Sequence, residues 1–154
     1  MLLRRIATLV LIATLTGCGG GAPYEGKSVQ ELQAMLADPS SSVQAQGAHG
    51  LALKGPEART AVPALIGVLQ RGEPIAQEQA ALALGKIGPE AKEAIPALTE
   101  ALKTSAWTVQ RQAALALAAH GSQAKSAVPA LEKLRDSPNR PVRDAVVEAL
   151  KRIR

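Results

Sequence analysis

The sequence predicts an all-α fold, an α-solenoid of about four helical hairpins with a 33-residue period. Three observations carry that expectation. The string AVPAL begins at Ala61, AIPAL at Ala94 and AVPAL again at Ala127, each 33 residues after the last. A second string keeps the same register. QEQAALALGKIGPEAK from Gln77 aligns with QRQAALALAAHGSQAK from Gln110, and with more departures with QAQGAHGLALKGPEAR from Gln44 and RDAVVEALKRIR from Arg143. The composition is 47 % apolar yet includes no Phe, one Trp and one Tyr, so the core has to be assembled from Ala, Leu, Val and Ile. Without large aromatic anchors, close approach of helices through Ala is the natural way to exclude water. A fixed internal period marks stacked units, here 28–60, 61–93, 94–126 and 127–154.

Within a unit the first segment, such as AVPALIGVLQR, sets Val62, Leu65, Ile66 and Leu69 on one face at helical spacing. Pro63, Pro96 and Pro129 fall in the opening turn, where a missing N–H costs no helical hydrogen bond. Ser126 is the expected N-cap of the last of these helices. The second segment, such as WTVQRQAALALAAHG, is Ala/Leu-rich almost all round, the pattern of a helix buried on several sides. Gly88 and Gly121 supply its stop, and Gly55-Pro56 and Gly88-Pro89 force a turn. A two-helix unit leaves its apolar face bare, and stacking supplies a neighbour. In the last unit the position of Leu82 and Leu115 becomes Glu148, while Ala118 and Ala119 give way to Lys151 and Arg152, which reads as a polar cap.

The stretch ALALGKIGPEAKEAIPAL, Ala81 to Leu98, resembles the bacterial HEAT-like repeat named for the phycobilisome lyase subunits. The resemblance covers about residues 28–154 and implies four HEAT-like hairpins in a right-handed superhelical stack. The chain departs from it in places. Family units often open the second helix with Val-Arg, which only Val142-Arg143 keeps; the others have Val43-Gln44, Ala76-Gln77 and Val109-Gln110. Unit one places His49, Gly50 and Lys54 where unit two has Leu82, Ala83 and Ile87, and is expected to be a looser N-terminal cap.

The N-terminus has a different character. Arg4 and Arg5 precede an uncharged run from Ile6 to Thr16 and a small residue at Gly17, the layout of a secretory signal peptide. The run is about half the roughly 20 residues that a spanning helix needs. Its end, Leu15-Thr16-Gly17-Cys18, resembles a bacterial lipobox and uses the one cysteine of the chain. The resemblance implies cleavage after residue 17 and a diacylglycerol thioether on Cys18. Two or three acyl chains anchor stably where one does so only marginally. Residues 18–27 are then the lipidated Cys and a flexible tether, with Tyr24 a solvated linker residue. Gly19, rather than Asp, follows Cys18; by the same resemblance this favours the periplasmic face of the outer membrane.

Chemistry finds little support. HEAT-type diiron hydroxylases use His-Glu dipeptides, and here both histidines precede Gly, at His49-Gly50 and His120-Gly121. Two lone imidazoles in different units are expected to serve packing or helix termination; no metal, cofactor or catalytic residue is expected. A secreted product would not meet a cytoplasmic phycobilisome, and no nucleophile signature or phosphate loop is present. Without Arg4 and Arg5 the charge is 16 basic against 13 acidic residues, an excess of three that does not argue for nucleic acid.

What remains is a binding role, with protein or peptide as partner and the membrane engaged through the lipid. The second helices open on a repeated polar motif: Gln44-Ala45-Gln46, Gln77-Glu78-Gln79, Gln110-Arg111-Gln112 and Arg143-Asp144-Ala145. Gln77, Glu78, Gln79, Gln110, Arg111, Gln112 and Arg143 are therefore candidate partner contacts, against the alternatives of solvating a helix start or bridging units. Trp107, whose counterparts are Ser41, Pro74 and Arg140, is a candidate aromatic anchor unless it lies over its own inter-helix turn. The basic end, Arg140, Arg143, Lys151, Arg152 and Arg154, either touches anionic lipid or is a solvated cap. The expected function is a non-enzymatic interaction or scaffold module of the cell envelope. Its rivals are a repeat-lyase or hydroxylase-like enzyme, which would carry metal or chromophore, and a purely structural envelope protein, which would hold no stable partner.

Overall fold

A computed structural model of the chain describes residues 21–104 and 106–154. The expected signal segment and Cys18 lie outside the described residues. Among the latter there are eight α-helices, three 3-10 helices and no strand. The first helices of the hairpins are α1 (Val29–Met35), α3 (Val62–Arg71), α5 (Ile95–Ala101) and α7 (Val128–Glu132). The second helices are α2 (Ser41–Lys54), α4 (Pro74–Ile87), α6 (Trp107–His120) and α8 (Arg140–Ile153). Both sets start at 33-residue intervals, and each second helix is 14 residues long. The sequence period is thus the structural period.

The second helices pack side by side, α2 on α4, α4 on α6 and α6 on α8, with the first helices laid along one flank. Leucines at one position of the first helices (Leu32, Leu65, Leu98, Leu131) are fully buried in all four units, and those at one position of the second (Leu51, Leu84, Leu117) in the first three. Burying one such side chain contributes about 1.5–3 kcal/mol. Between helices the contact is made by alanine, as the composition requires, and at Gly85 by no side chain at all. A Cβ there would lie 3.0 Å from the Ala116 Cα.

The stop signals act as expected, with a refinement. Gly55, Gly88 and Gly121 end α2, α4 and α6 at φ +57°, +70° and +53°. An L side chain is strained in that region, and glycine is not. The chain then turns through 3-10 helices, Gly55–Ala61, Gly88–Ala94 and Gly121–Ala127, rather than a simple turn. Pro63, Pro96 and Pro129 sit in the first turn of α3, α5 and α7. Ser126 is not a cap: it lies inside the third 3-10 helix, and α7 begins behind Ala127. The side-chain cap is at the other end of the chain. Ser28 Oγ accepts from Glu31 N, and Glu31 Oε2 accepts from Ser28 N at 2.8 Å, a reciprocal box that holds the Glu31 carboxyl below its ordinary pKa.

Unit one is not the looser end the sequence suggests. Residues 22–27 make turns (Glu25 N to Ala22 O, 2.8 Å) that bring Tyr24 back onto the core, so Tyr24 is not a solvated linker residue. Its ring lies 5.0 Å from that of His49, tilted by 59°. Gly50 makes the room, since a Cβ there would fall 2.5 Å from Leu32 Cδ2 and 2.9 Å from Tyr24 Cβ. In unit four the polar cap shows at Lys151, exposed where Ala118 is buried, and not at Glu148. Leu115 faces solvent, so Glu148 replaces it at a surface position. The stacking position is that of Ala48, Ala81 and Ala114, all fully buried, and in α8 it carries the exposed Val147.

Candidate interaction surface

The opening glutamine of each second helix is engaged inside its own unit. Gln44 Nε2 donates to Asp38 O (2.8 Å), Gln77 Nε2 to Leu69 O (2.9 Å), and Gln110 Nε2 to Thr104 O (2.7 Å) and Leu102 O (3.2 Å). Arg143 does the same in the last unit, donating to Ser137 O (2.6 Å) and Pro138 O (3.2 Å). The last carbonyls of a helix have no intrahelical donor. Gln77 supplies one to α3 from the following helix, and Gln44, Gln110 and Arg143 donate to carbonyls just past the end of a first helix. The role is a closure of the loop within each unit, and it engages one amide donor of Gln77, the amide of Gln110 and Nη1 of Arg143.

The rest of the motif links neighbours. Arg111 Nη2 lies 3.9 Å from Glu78 Oε1, joining α6 to α4, and donates to Gln112 Oε1 at 3.5 Å. Gln79 Oε1 is 3.0 Å from His49 Nδ1, joining α4 to α2. Gln112 is buried. Trp107, first residue of α6, is 43 % exposed and stands apart from these contacts at the start of its helix. Of the eight candidate residues, Glu78, Gln79, Arg111 and Gln112 lie along inter-unit seams, Gln77, Gln110 and Arg143 close loops, and Trp107 remains open to solvent.

The apolar surface was less visible in the sequence. Among the described residues the exposed large hydrophobic ones are Leu53 (68 %), Ile75 (56 %), Val147 (56 %), Trp107 and Leu115 (37 %), and all five lie on second helices. These helices, Ala/Leu-rich almost all round, are buried on several sides but not on all. The signal was present in the register: Leu53 aligns with Lys86 and Arg152, side chains that cannot all be buried. Between α4 and α6 the small residues leave a groove of about 260 Å³, with Leu82 and Leu115 as walls, Gly85 and Ala116 as floor, and Lys86 and Gln112 beside them. A wider hollow of about 770 Å³ lies between α1 and α3 on the opposite flank, lined by small residues and amides such as Gln30 and Gln33.

Charge is sorted in the same way. The second helices carry seven basic and three acidic residues, net +4, while the remainder of residues 21–154 carries nine basic and ten acidic, net −1. The basic excess is thus concentrated on one set of helices.

This architecture can be matched to known proteins. The family model for HEAT repeats matches residues 29–105 and again 89–151. The chain belongs to the HEAT repeat family. Its HEAT units are also similar to solved structures. Two engineered proteins from the Northeast Structural Genomics Consortium share 28 % and 27 % identity, at TM-scores of 0.66 and 0.71, over 81 % and 82 % of this chain. A designed armadillo repeat protein in complex with the peptide (KR)4 has 20 % identity and a TM-score of 0.72 over 82 % of this chain, a likeness of fold. The HEAT chain spans about two thirds of the length of these proteins, 62 % to 64 %. Comparison with curated proteins returned no match.

Proposed function

We propose that this chain is a non-enzymatic protein-interaction module held at a bacterial envelope membrane by a lipid on Cys18. The observation that carries the interaction role is the confinement, among the described residues, of the exposed large hydrophobic side chains to the second helices. Exposed apolar side chains gathered on one part of a surface mark contact sites, whereas single scattered ones need no explanation. The solenoid is a fold typical of interaction scaffolds, and one structural neighbour was solved with a peptide. The repeats are of the phycobilisome-lyase type by the Ala81–Leu98 stretch, but a secreted product would not meet a cytoplasmic phycobilisome. Against a hydroxylase-like metal site, His49 is engaged by Tyr24 and Gln79, and His120 is buried.

The anchoring half rests on Leu15-Thr16-Gly17-Cys18 and its basic, apolar lead. Tyr24 is pinned to unit one only six residues after Cys18, which at full extension is about 20 Å of tether. A lipid on Cys18 therefore sets the N-terminal unit at the bilayer, at the periplasmic face of the outer membrane by the Gly19 argument.

Two variants separate the halves. Cys18→Ala is expected to move the protein from the membrane to the soluble fraction while leaving partner binding intact. Leu53→Asp with Leu115→Asp is expected to do the reverse. A protein that stays in the membrane fraction without Cys18, or whose stable partner survives the double change, contradicts the corresponding half.

A further inference from the structure

We infer that the second helices bind an acidic segment of a partner protein, which seats one large apolar side chain in the α4–α6 groove and sets its flanking carboxylates against Lys86. This deepens the interaction-module reading and rests on it. Charge complementarity selects the partner. Each carboxylate on the second helices has an arginine partner: Glu78 with Arg111 (3.9 Å), Asp144 with Arg140 (3.6 Å) and Glu148 with Arg152 (2.5 Å). Among the described residues Lys54, Lys86 and Lys151 have no ion pair. The uncompensated charge of these helices is thus cationic. A basic ligand would meet Lys86 and find no free carboxylate; an acidic one is steered toward the surface before contact.

The groove supplies the other half of recognition. Its volume of about 260 Å³ accepts one bulky side chain rather than a whole helix. Leu82 and Leu115 flank it, and the close approach of Gly85 to Ala116 forms its floor. Gln112 is buried there with one long hydrogen bond, accepted from Arg111, and its amide remains available to the backbone of an incoming segment. A flat anionic bilayer would reach Lys86 but leave this recess empty, which favours a protein segment over a lipid surface.

Random-peptide display on the full chain, followed by fluorescence anisotropy of the enriched peptides, tests the inference, with (KR)4 as counter-probe. Enriched peptides are expected to place Leu or an aromatic residue beside Asp or Glu, and to bind more weakly as salt rises. Leu115→Asp is expected to weaken them about tenfold or more. Lys86→Glu is expected to weaken them about three- to tenfold. Both positions are exposed, and an unchanged thermal melt shows that each variant folds. Neutral or basic peptides that still depend on Leu115 would overturn the acidic class and leave the interaction module standing. No enrichment, peptides that ignore Leu115, or Lys86-dependent binding of phosphatidylglycerol vesicles in their place would overturn both.

Discussion

His120 sits in a slot that units two and four fill with Ile87 and Ile153, both essentially fully buried. It is 3 % exposed, and neither ring nitrogen has a hydrogen-bond partner among the described residues. Burial disfavours the imidazolium and lowers the His120 pKa below its ordinary value of 6.5. The unfolded chain therefore takes up the proton first as pH falls. The contribution of this site to stability is constant above about pH 6.5 and declines below it. His120→Ile is expected to raise stability by about 1–3 kcal/mol, because two unpaired buried polar atoms are removed. It should also flatten the acid limb of the profile, read as urea midpoints at pH 5 and 7.5. A variant less stable than the parent at both pH values would show that the nitrogens are satisfied. Tyr24 makes a parallel point at the same scale. One aromatic ring, admitted by the missing Cβ of Gly50, turns a tether into part of the first unit.

At the scale of the elements, the opening side chain of each second helix ties down the connection from the helix before it. Gln110→Ala leaves the carbonyls of Leu102 and Thr104, and Arg143→Ala those of Ser137 and Pro138, without a side-chain donor. Each is expected to cost about 1–2 kcal/mol, measurable as a shift in thermal midpoint, with Gln110→Ala confined to unit three. A neutral result in both would assign these carbonyls to water. The α4–α6 contact is the tighter constraint. Gly85→Val drives two methyl groups into the Ala116 backbone and is expected to destabilise by about 1–3 kcal/mol. Gly67→Val, on exposed α3, meets only the movable end of Arg71. Helix positions, glycine stops and proline starts were legible because each follows from a local rule repeated every 33 residues. The 3-10 connections were not, since their hydrogen-bond pattern has no composition distinct from a turn. The use of Gln77 and Gln110 was hidden for another reason: their acceptors are carbonyls eight residues upstream, which only the folded hairpin brings near.

Across the whole molecule, a uniform sequence period produces an uneven surface. Stacking buries the alanines of the second helices on the sides that meet neighbours and leaves their outer positions to solvent. There Leu53, Ile75, Trp107 and Leu115 are exposed, while most charge balance is struck elsewhere. The candidate site was half legible. Arg111, Gln112 and Trp107 were singled out by repetition or rarity. The surface role of Leu82 and Leu115 was hidden behind their reading as a stacking face, because periodicity alone does not distinguish a helix buried on all sides from one buried on three. The direct test is photo-crosslinking in cells with p-benzoylphenylalanine placed singly at Leu53, Ile75 and Leu115 on the second helices, and at Arg71, Lys103 and Arg135 on the other flank. Adducts of one defined mass at the first three positions, and not at the last three, are the predicted result. Adducts confined to the last three, or spread equally over all six, would contradict the assignment of the second helices as the contact surface.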